Sequence, residues 1–442
     1  MNIMVLGATG FVGTHLIRKL LDQGHQIVAV ARQPELAKSL FPSASIIECD
    51  FNVPQSIEEW FPRLNNIDVI INCIGIFYHR DASIIWQVHF NSPRIIFETA
   101  AKTNVKRIIQ ISALGIENYD TEYAKSKLEL DNFLLQLPIQ SIILRPSFIY
   151  GPGAEGGMEL FTTVSSFPLI FLPGKGEQQL QPIHIDKLCA AISNLCERSL
   201  KHSMILTAAS SDALSIKAIL KCLRKWLNLP KTVCLPVPIT FIRIAAWFGN
   251  LSSSSKLNSA ALSMLGSSNT ATKADTDAFY QISDVSPESF EEEIFKTSST
   301  RADLLQARLG WLRPLLRISL VFMWLASAVT SAFFARETSY MLLTQAGLDS
   351  FWHPVLLYGA STVNLMIAIS LLFNYRTKLN CIVQLIVILI YTLIISVQLP
   401  NFWLEPFGSI VKNIPVAVSI LMLYFTEPVS ASLRRRSNSW IA

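Results

Sequence analysis

The chain has 442 residues, 51% of them hydrophobic and only 16% charged, with a mean hydropathy of +0.38. That length exceeds one compact core and that hydropathy exceeds what a soluble enzyme carries, so two unlike parts are expected, one of them in lipid. The formal charge of +5 forms no basic stripe with interleaved aromatics, which argues against nucleic-acid binding, and seven scattered cysteines without CxxC spacing argue against a disulfide framework or a zinc site.

The N-terminus MNIMVLGATG opens on a buried-strand pattern and lacks the charged, apolar and cleavage regions of a signal peptide, so the first domain is expected to stay unexported. From residue 1 to about 150, short apolar runs alternate with helical patterns: IMVL, FVGTHLIRKLLDQ, QIVAV, DVIINCIG, a helix near 84–103, RIIQIS, a helix over 122–136, and SIILRP. Continuous apolar strands separated by amphipathic helices predict a doubly wound α/β fold, a parallel Rossmann sheet covered on both faces. Residues 151–310 are less regular, with GPGAEGG and FLPGKGE turns, a strand at SMILTA and a helix over 214–228. They are expected to form a smaller substrate-covering region, in which the Ser/Asn-rich stretch 251–277 reads as a loop or weak helix.

The tail differs in kind. Apolar stretches near 315–334, 354–373, 379–399 and 409–425 have about the length that crosses a hydrocarbon core, and LNCIVQLIVILIYTLIISVQL lacks the polar face of a soluble bundle. An all-α bundle of four transmembrane helices is expected over 313–428, followed by a basic tail over 429–442. Arg313 and Arg317 precede the first stretch, Arg376 and Lys378 join the second to the third, and Arg434, Arg435 and Arg436 follow the fourth. The opposite loops pair Arg336 with Glu337 and Asp349, and Lys412 with Glu405, so the Lys/Arg bias puts both termini on the cytoplasmic side.

Between the first strand and the first helix stands Gly7-Ala-Thr-Gly10-Phe-Val-Gly13. Gly7 permits the tight turn, Gly10 lets backbone approach a pyrophosphate, and Gly13 lets helix and strand pack closely, with the anion on the helix N-terminus. An acidic residue at the end of the second strand would bond a ribose 2′-hydroxyl; here the strand ends Val30-Ala31-Arg32, and Arg32 is expected to meet a 2′-phosphate, favouring NADP with NAD second. Asp50, after the third strand, would either accept from the adenine amino group or cap the next turn.

Together with three later segments, Asn72-Cys73-Ile74-Gly75, Tyr123-Ala-Lys-Ser-Lys127 and LRPSFIYGPG, the glycine turn makes residues 1–310 resemble the extended or atypical branch of the short-chain dehydrogenase/reductase superfamily. The segment from Pro182 to Ile192 is similar to the one that follows the substrate loop in that family, and the nearest branch includes the nucleotide-binding accessory subunit of respiratory complex I. The tail, with PNFWLEPFG from Pro400 and Lys412-Asn413-Ile-Pro415, resembles the DoxX-like membrane family.

The first resemblance implies a cofactor cleft lined by Gly7, Thr9, Gly10, Phe11, Val12, Gly13, Cys73, Ile74, Gly75 and Pro146. It also implies a catalytic set of Tyr123, Lys127, Ser112 and Asn91. Tyrosine ionises near pH 10, so a proton shuttle needs a nearby cation; Lys127 lies one helical turn on, and by resemblance also bonds the nicotinamide ribose. One departure stands out. The family pairs two hydroxyl residues after the fifth strand, whereas this chain reads Ser112-Ala113. The expected activity is an NAD(P)-dependent oxidoreductase of the cytoplasmic membrane acting on a lipophilic carbonyl or quinone. Its partners are the bilayer and that small substrate, with a membrane-protein partner or homo-oligomer left open. The alternatives are an NADP-binding structural or sensory protein, favoured by Ala113, and a nucleotide-sugar epimerase or dehydratase.

Overall fold

Alternation along strand β1 (Asn2–Leu6) sets the first two layers. Ile3 and Val5 pack with Leu16, Ile17 and Leu20 of helix α1 (Phe11–Asp22), while Met4 and Leu6 pack on the other face with Trp60, Ile96 and Phe97. A strand whose residues alternate between two apolar clusters has no wet face, which is why it reads as an unbroken hydrophobic run. Each such side chain contributes about 1.5–3 kcal/mol on burial.

The unit continues through β2 (Gln26–Ala31), α2 (Pro34–Leu40), β3 (Ser45–Glu48), α3 (Ile57–Arg63), β4 (Val69–Asn72), α4 (Ala82–Trp86), α5 (Ser92–Ala100), β5 (Arg107–Ile111), α6 (Glu122–Gln136), β6 (Gln140–Pro146) and β7 (Met204–Ala208), with the same burial on both faces in the central strands β4 and β5. In this computed structural model the described residues are 1–442 apart from 80, 155–156, 244–268, 407, 409 and 428–442. The chain divides into two compact units, Met1–Leu304 and Leu305–Ala442.

In the first unit all seven strands are parallel, in the order β7-β6-β5-β4-β1-β2-β3. Strand progression reverses between β1 and β4, which opens a crevice at their C-terminal ends. The sheet draws β7 from beyond residue 150, out of the stretch expected to cover the substrate. Short strand pairs join Ile149–Tyr150 to Ile183–His184, Gln179–Leu180 to Leu214–Ser215, and Ile170–Pro173 to Cys234–Val237, over a third apolar cluster that includes Phe161, Leu220 and Phe290.

Of the stretch 251–277, expected as a loop or weak helix, only the end lies within the described residues. Residues 251–268 fall outside them, but Asn269 bridges Leu180 and a helix, Lys273–Ser283, begins inside the stretch. Thr272 caps it by accepting from the Asp275 N–H at 3.2 Å, and Thr276, Phe279, Tyr280 and Ser283 form its buried stripe. A good cap and a packed face outweigh weak intrinsic propensity.

Among the described residues three helices, lying wholly or mainly in the second unit, are long and apolar enough to cross a membrane: Arg301–Phe334 including a closing π-turn, Ser350–Leu372 including an opening 3₁₀ turn, and Thr377–Gln398. The fourth expected span is helical over Asn413–Thr426 only. At 1.5 Å per residue those 14 residues reach roughly 21 Å, short of a hydrocarbon core of about 30 Å. A helix at Arg336–Gln345 and a 3₁₀ turn at Pro400–Leu404 occupy two of the expected loops. Within the bundle, Trp324 Nε1 donates to Gln384 Oε1 at 2.7 Å, Gln384 to Asn380 at 2.6 Å, and Asn380 to the Ile367 carbonyl at 3.2 Å. In this chain of bonds, side chains with no access to water are satisfied by one another and by the backbone. Near one end, Arg317 donates to both carboxylate oxygens of Glu427, at 2.9 and 3.1 Å. The basic tail, with Arg434–436, lies outside the described residues.

Candidate functional site

At the mouth of the crevice, β1 ends and Gly7 turns the chain at φ +77, a conformation that favours glycine. A Cβ there would sit 3.1 Å from the Cys73 carbonyl and the Ile74 nitrogen, so the turn lies against the loop after β4. A Cβ on Gly13 would come within 2.4 Å of the Gly7 oxygen, which forces glycine where α1 crosses the turn. Gly10 is the N-cap residue of α1, with no side chain to cap the helix and no acid in its first turn. Gly10 is exposed, and Thr9, Phe11 and Val12 are half-buried around it. An uncapped helix N-terminus with a glycine at its lip fits a phosphate-bearing ligand, through free N–H groups and the helix dipole.

Two residues stand at the ends of the neighbouring strands. Arg32, after β2, is exposed and enters no ion pair among the described residues. Asp50, after β3, accepts the Asn52 N–H at 3.0 Å, the turn-capping role, and is half-buried.

On the other side of the crevice Asn72 holds the loop after β4 in shape. Its amide donates to Gln110 at 2.7 Å while its oxygen accepts from the Ile74 N–H at 3.0 Å. This leaves Gly75 exposed, with its Cβ position 3.8 Å from Lys127 Nζ. Burial pushes the Cys73 thiol up to about 12, against the pull of Lys127, so it stays protonated and is no nucleophile. Gly7, Cys73, Gly75 and Lys127 therefore form one continuous wall.

Helix α6 supplies the far end of that wall. Thr121 caps it by accepting from the Ala124 N–H at 3.2 Å, which starts the helix at Glu122 and sets Tyr123 and Lys127 on one face. Lys127 is 4% exposed; its Nζ donates to the Ile111 carbonyl at 3.0 Å and lies 5.8 Å from the Tyr123 ring centroid. Burial lowers its pKa to about 8, with Asp131 opposing. Burial, reinforced by the Asp131 charge, drives the Tyr123 phenol well above its ordinary range. Tyr123 is thus a proton holder at neutral pH.

Asp131, one turn beyond Lys127, is fully buried and takes Ser112 Oγ at 2.8 Å and Arg145 Nε at 3.2 Å. Its own pKa is raised, chiefly by burial. Ser112 accordingly spends its hydroxyl on Asp131, and half-buried Ala113 has none to offer. Pro146, at the end of β6, is buried and accepts the Leu114 N–H at 2.9 Å.

Asn91 is exposed and its amide meets Gln87 at 3.3 Å. The helix residue that packs against Tyr123 is His89, ring centroids 5.3 Å apart. Between α4 and α5 the backbone widens into a π-turn, Gln87–Asn91, whose extra residue rotates the face presented to the crevice. Neither His89 nor Asp131 was anticipated from the sequence. The i, i+4, i+8 series Tyr123, Lys127, Asp131 was the signal for the second; a π-turn leaves no comparable trace.

A model of the NAD-dependent epimerase/dehydratase family matches residues 3–205, and a DoxX-like family model matches residues 321–421. Ceramide reductase of Caulobacter vibrioides is 23% identical over 238 residues, 53% of this chain and 74% of that protein. The 40 kDa subunit of mitochondrial NADH-ubiquinone oxidoreductase from Neurospora crassa is 24% identical over 247 residues, 53% of this chain but only 64% of the subunit. Among solved structures, an NADPH-dependent quinone oxidoreductase from Escherichia coli, complexed with NADPH, superposes with a TM-score of 0.53 at 16% identity, covering 67% of this chain and 99% of that one. At that identity the likeness establishes the fold alone.

Proposed function

From a chain that joins an NAD-dependent epimerase/dehydratase-type domain to a DoxX-like membrane domain, we propose a membrane-anchored oxidoreductase that prefers NADP over NAD and acts on a lipophilic carbonyl or quinone. The observation that carries the reading is the continuity of the wall. A bare helix N-terminus and a Tyr–Lys pair sit at the C-terminal ends of one parallel sheet, linked through Cys73 and Gly75.

The residues fit a dinucleotide: the Gly7–Gly13 turn for the pyrophosphate, Arg32 for a 2′-phosphate, Lys127 for the nicotinamide ribose. The bound cofactor would supply the hydride. This chain's part is to hold and deliver the proton. Tyr123, kept protonated by burial, acts as general acid toward the oxygen of a carbonyl being reduced, and Lys127 stabilises the phenolate left behind. Apolar anchors in the bilayer favour a substrate that partitions into lipid, as the name of the similar ceramide reductase also implies for that protein. The dinucleotide unit and both termini are assigned to the cytoplasmic side of the cytoplasmic membrane, an orientation that requires the 14-residue helix Asn413–Thr426 to serve with its flanks as a fourth crossing.

A second reading, dinucleotide binding without turnover, draws on Ala113 and on a Ser112 hydroxyl already committed to Asp131. Purification of the full chain in mild detergent, followed by identification of co-purifying dinucleotide and lipid, tests the first half of the proposal. NADP(H) is expected; a nucleotide sugar would point to epimerase or dehydratase chemistry instead. Reporter fusions after Asp349, Lys378 and Gly408 are expected to read outside, inside and outside, and an inside signal after Asp349 would overturn the orientation. Ala113→Ser is expected to raise carbonyl reduction if the missing hydroxyl limits the enzyme, and to leave a non-catalytic protein unchanged.

A further inference from the structure

One imidazole sits where three segments of the site meet. His89 is 2% exposed. Its Nε2 accepts the backbone N–H of Ile76 at 3.0 Å, which assigns the ring proton to Nδ1, 3.0 Å from Ser126 Oγ. Ser126 in turn donates to the Tyr123 carbonyl at 3.1 Å. The ring stands nearly perpendicular to Tyr123, and Nε2 lies 3.9 Å from the Cβ position of Gly75. Burial and the Lys127 cation both oppose its protonation, so it is a neutral group with both nitrogens in use.

We infer that His89 is a positioning residue for the nicotinamide half of the cofactor, riveting the Cys73–Ile76 loop to helix α6 so that Gly75, Tyr123 and Lys127 keep a fixed spacing. The inference rests on the dinucleotide reading of the crevice. An apolar side chain at this place would leave the Ile76 N–H without its acceptor, a costly state for a buried donor, and the loop would detach to find water. The start of the loop, against which the glycine turn lies, is tied to β1 without His89, through the Cys73 N–H donating to the Leu6 carbonyl at 3.0 Å. The damage therefore falls on one half of the cofactor and spares the other.

That asymmetry is measurable on the full chain in mild detergent, using NADPH, NADH and ADP as probes, since ADP has the adenine half and the diphosphate but neither the nicotinamide nor the ribose assigned to Lys127. His89→Leu, close in size, is expected to weaken NADPH and NADH by about tenfold, the scale of one lost hydrogen bond to a buried group, while ADP affinity holds. Amide exchange at Ile76 is expected to accelerate in this variant while β1 and β2 stay protected, which also checks that it folds. His89→Gln, which restores an acceptor, is expected to recover most of the loss. An unchanged ratio of NADPH to ADP affinity in His89→Leu, or Ile76 exchange as slow as in the wild type, overturns the role of His89 alone. A wild-type chain that binds none of the three probes overturns the site reading and this inference with it.

Discussion

The two units spend their apolar residues in opposite ways. In the first, strand residues such as Ile3, Met4, Val5 and Leu6 are wholly buried between two layers of helices. In the second, Phe322, Leu389, Val397 and Phe425 point outward along the helices, and the buried positions include Asn364, Asn380 and Gln384. A protein in water hides carbon and exposes charge, whereas a bundle in lipid exposes carbon and gathers its polar groups inside. Equal hydrophobicity in a stretch of sequence therefore means a core in one unit and a surface in the other; what separates them is run length and the absence of any polar face.

The sharpest way to break that comparison is to place the same charge on an exposed apolar residue of each unit. Leu389, 58% exposed on the Thr377–Gln398 helix, and Val53, 55% exposed in the first unit, are matched for exposure. Leu389→Arg is expected to cost about 2.5–3.5 kcal/mol of insertion free energy. Val53→Arg is expected to stay within about 0.5 kcal/mol on folding. Membrane integration of the first and thermal unfolding of the second check the pair; equal, small effects would mean that the second unit's apolar face meets water.

Next in size is Gly13→Val, which pits packing against packing rather than water against lipid. With its Cβ 2.4 Å from the Gly7 oxygen, the new side chain must push α1 off the turn, at a cost of about 1–3 kcal/mol and with loss of dinucleotide binding. Gly359 in the second unit has nothing within 4 Å of its Cβ position, so Gly359→Ala is expected to be neutral or mildly stabilising. Unfolding midpoints of the two variants provide the check.

Lys127 contributes a pH signature that only a buried cation gives. Its folded pKa, lowered to about 8, lies below the ordinary 10.5, so between those values the unfolded chain holds a proton that the folded chain has released. Stability from this group therefore rises with pH across that window, by up to about 1.4 kcal/mol per unit, and is level below 8, where both states hold the proton, and above 10.5, where neither does. Buried cysteines such as Cys73 shift the other way, so the quantity to measure is the difference between wild type and Lys127→Met from pH 7.5 to 10.5. A difference independent of pH would mean that Lys127 is solvated. Smallest of all is Arg32→Ala, expected to reduce the preference for NADPH over NADH by about tenfold, as for one exposed charge-assisted contact, without altering stability. An unchanged preference removes Arg32 from the site.

The first unit's elements were legible because buried strands, capped helices and a glycine turn each leave a local pattern; the helix over 122–136 begins where Thr121 can cap it. The second unit's helices were legible from length, except that the fourth stops short after Asn413–Thr426. What escaped were consequences of tertiary contact. The π-turn at Gln87–Asn91 sets His89 against Tyr123 and leaves Asn91 exposed beside Gln87, and the buried Asp131 carboxylate accepts the Ser112 hydroxyl. Nothing in residue spacing records either event. The helix at Lys273–Ser283 escaped for a related reason, since its stripe of Thr276, Phe279, Tyr280 and Ser283 is half polar in sequence yet buried in the fold.

The central claim is that the crevice performs proton-coupled chemistry on a bound dinucleotide, and a single oxygen tests it. Tyr123→Phe removes the phenol while leaving the ring against His89 and the Lys127 bond to Ile111. With the full chain in lipid nanodiscs, NADPH affinity is expected to change little. NADPH oxidation with a panel of quinones and hydrophobic ketones is expected to fall by about 10² to 10⁴. Tight NADPH binding with the same rate, or no rate, in both proteins would contradict the account and leave a protein that holds the cofactor without using it.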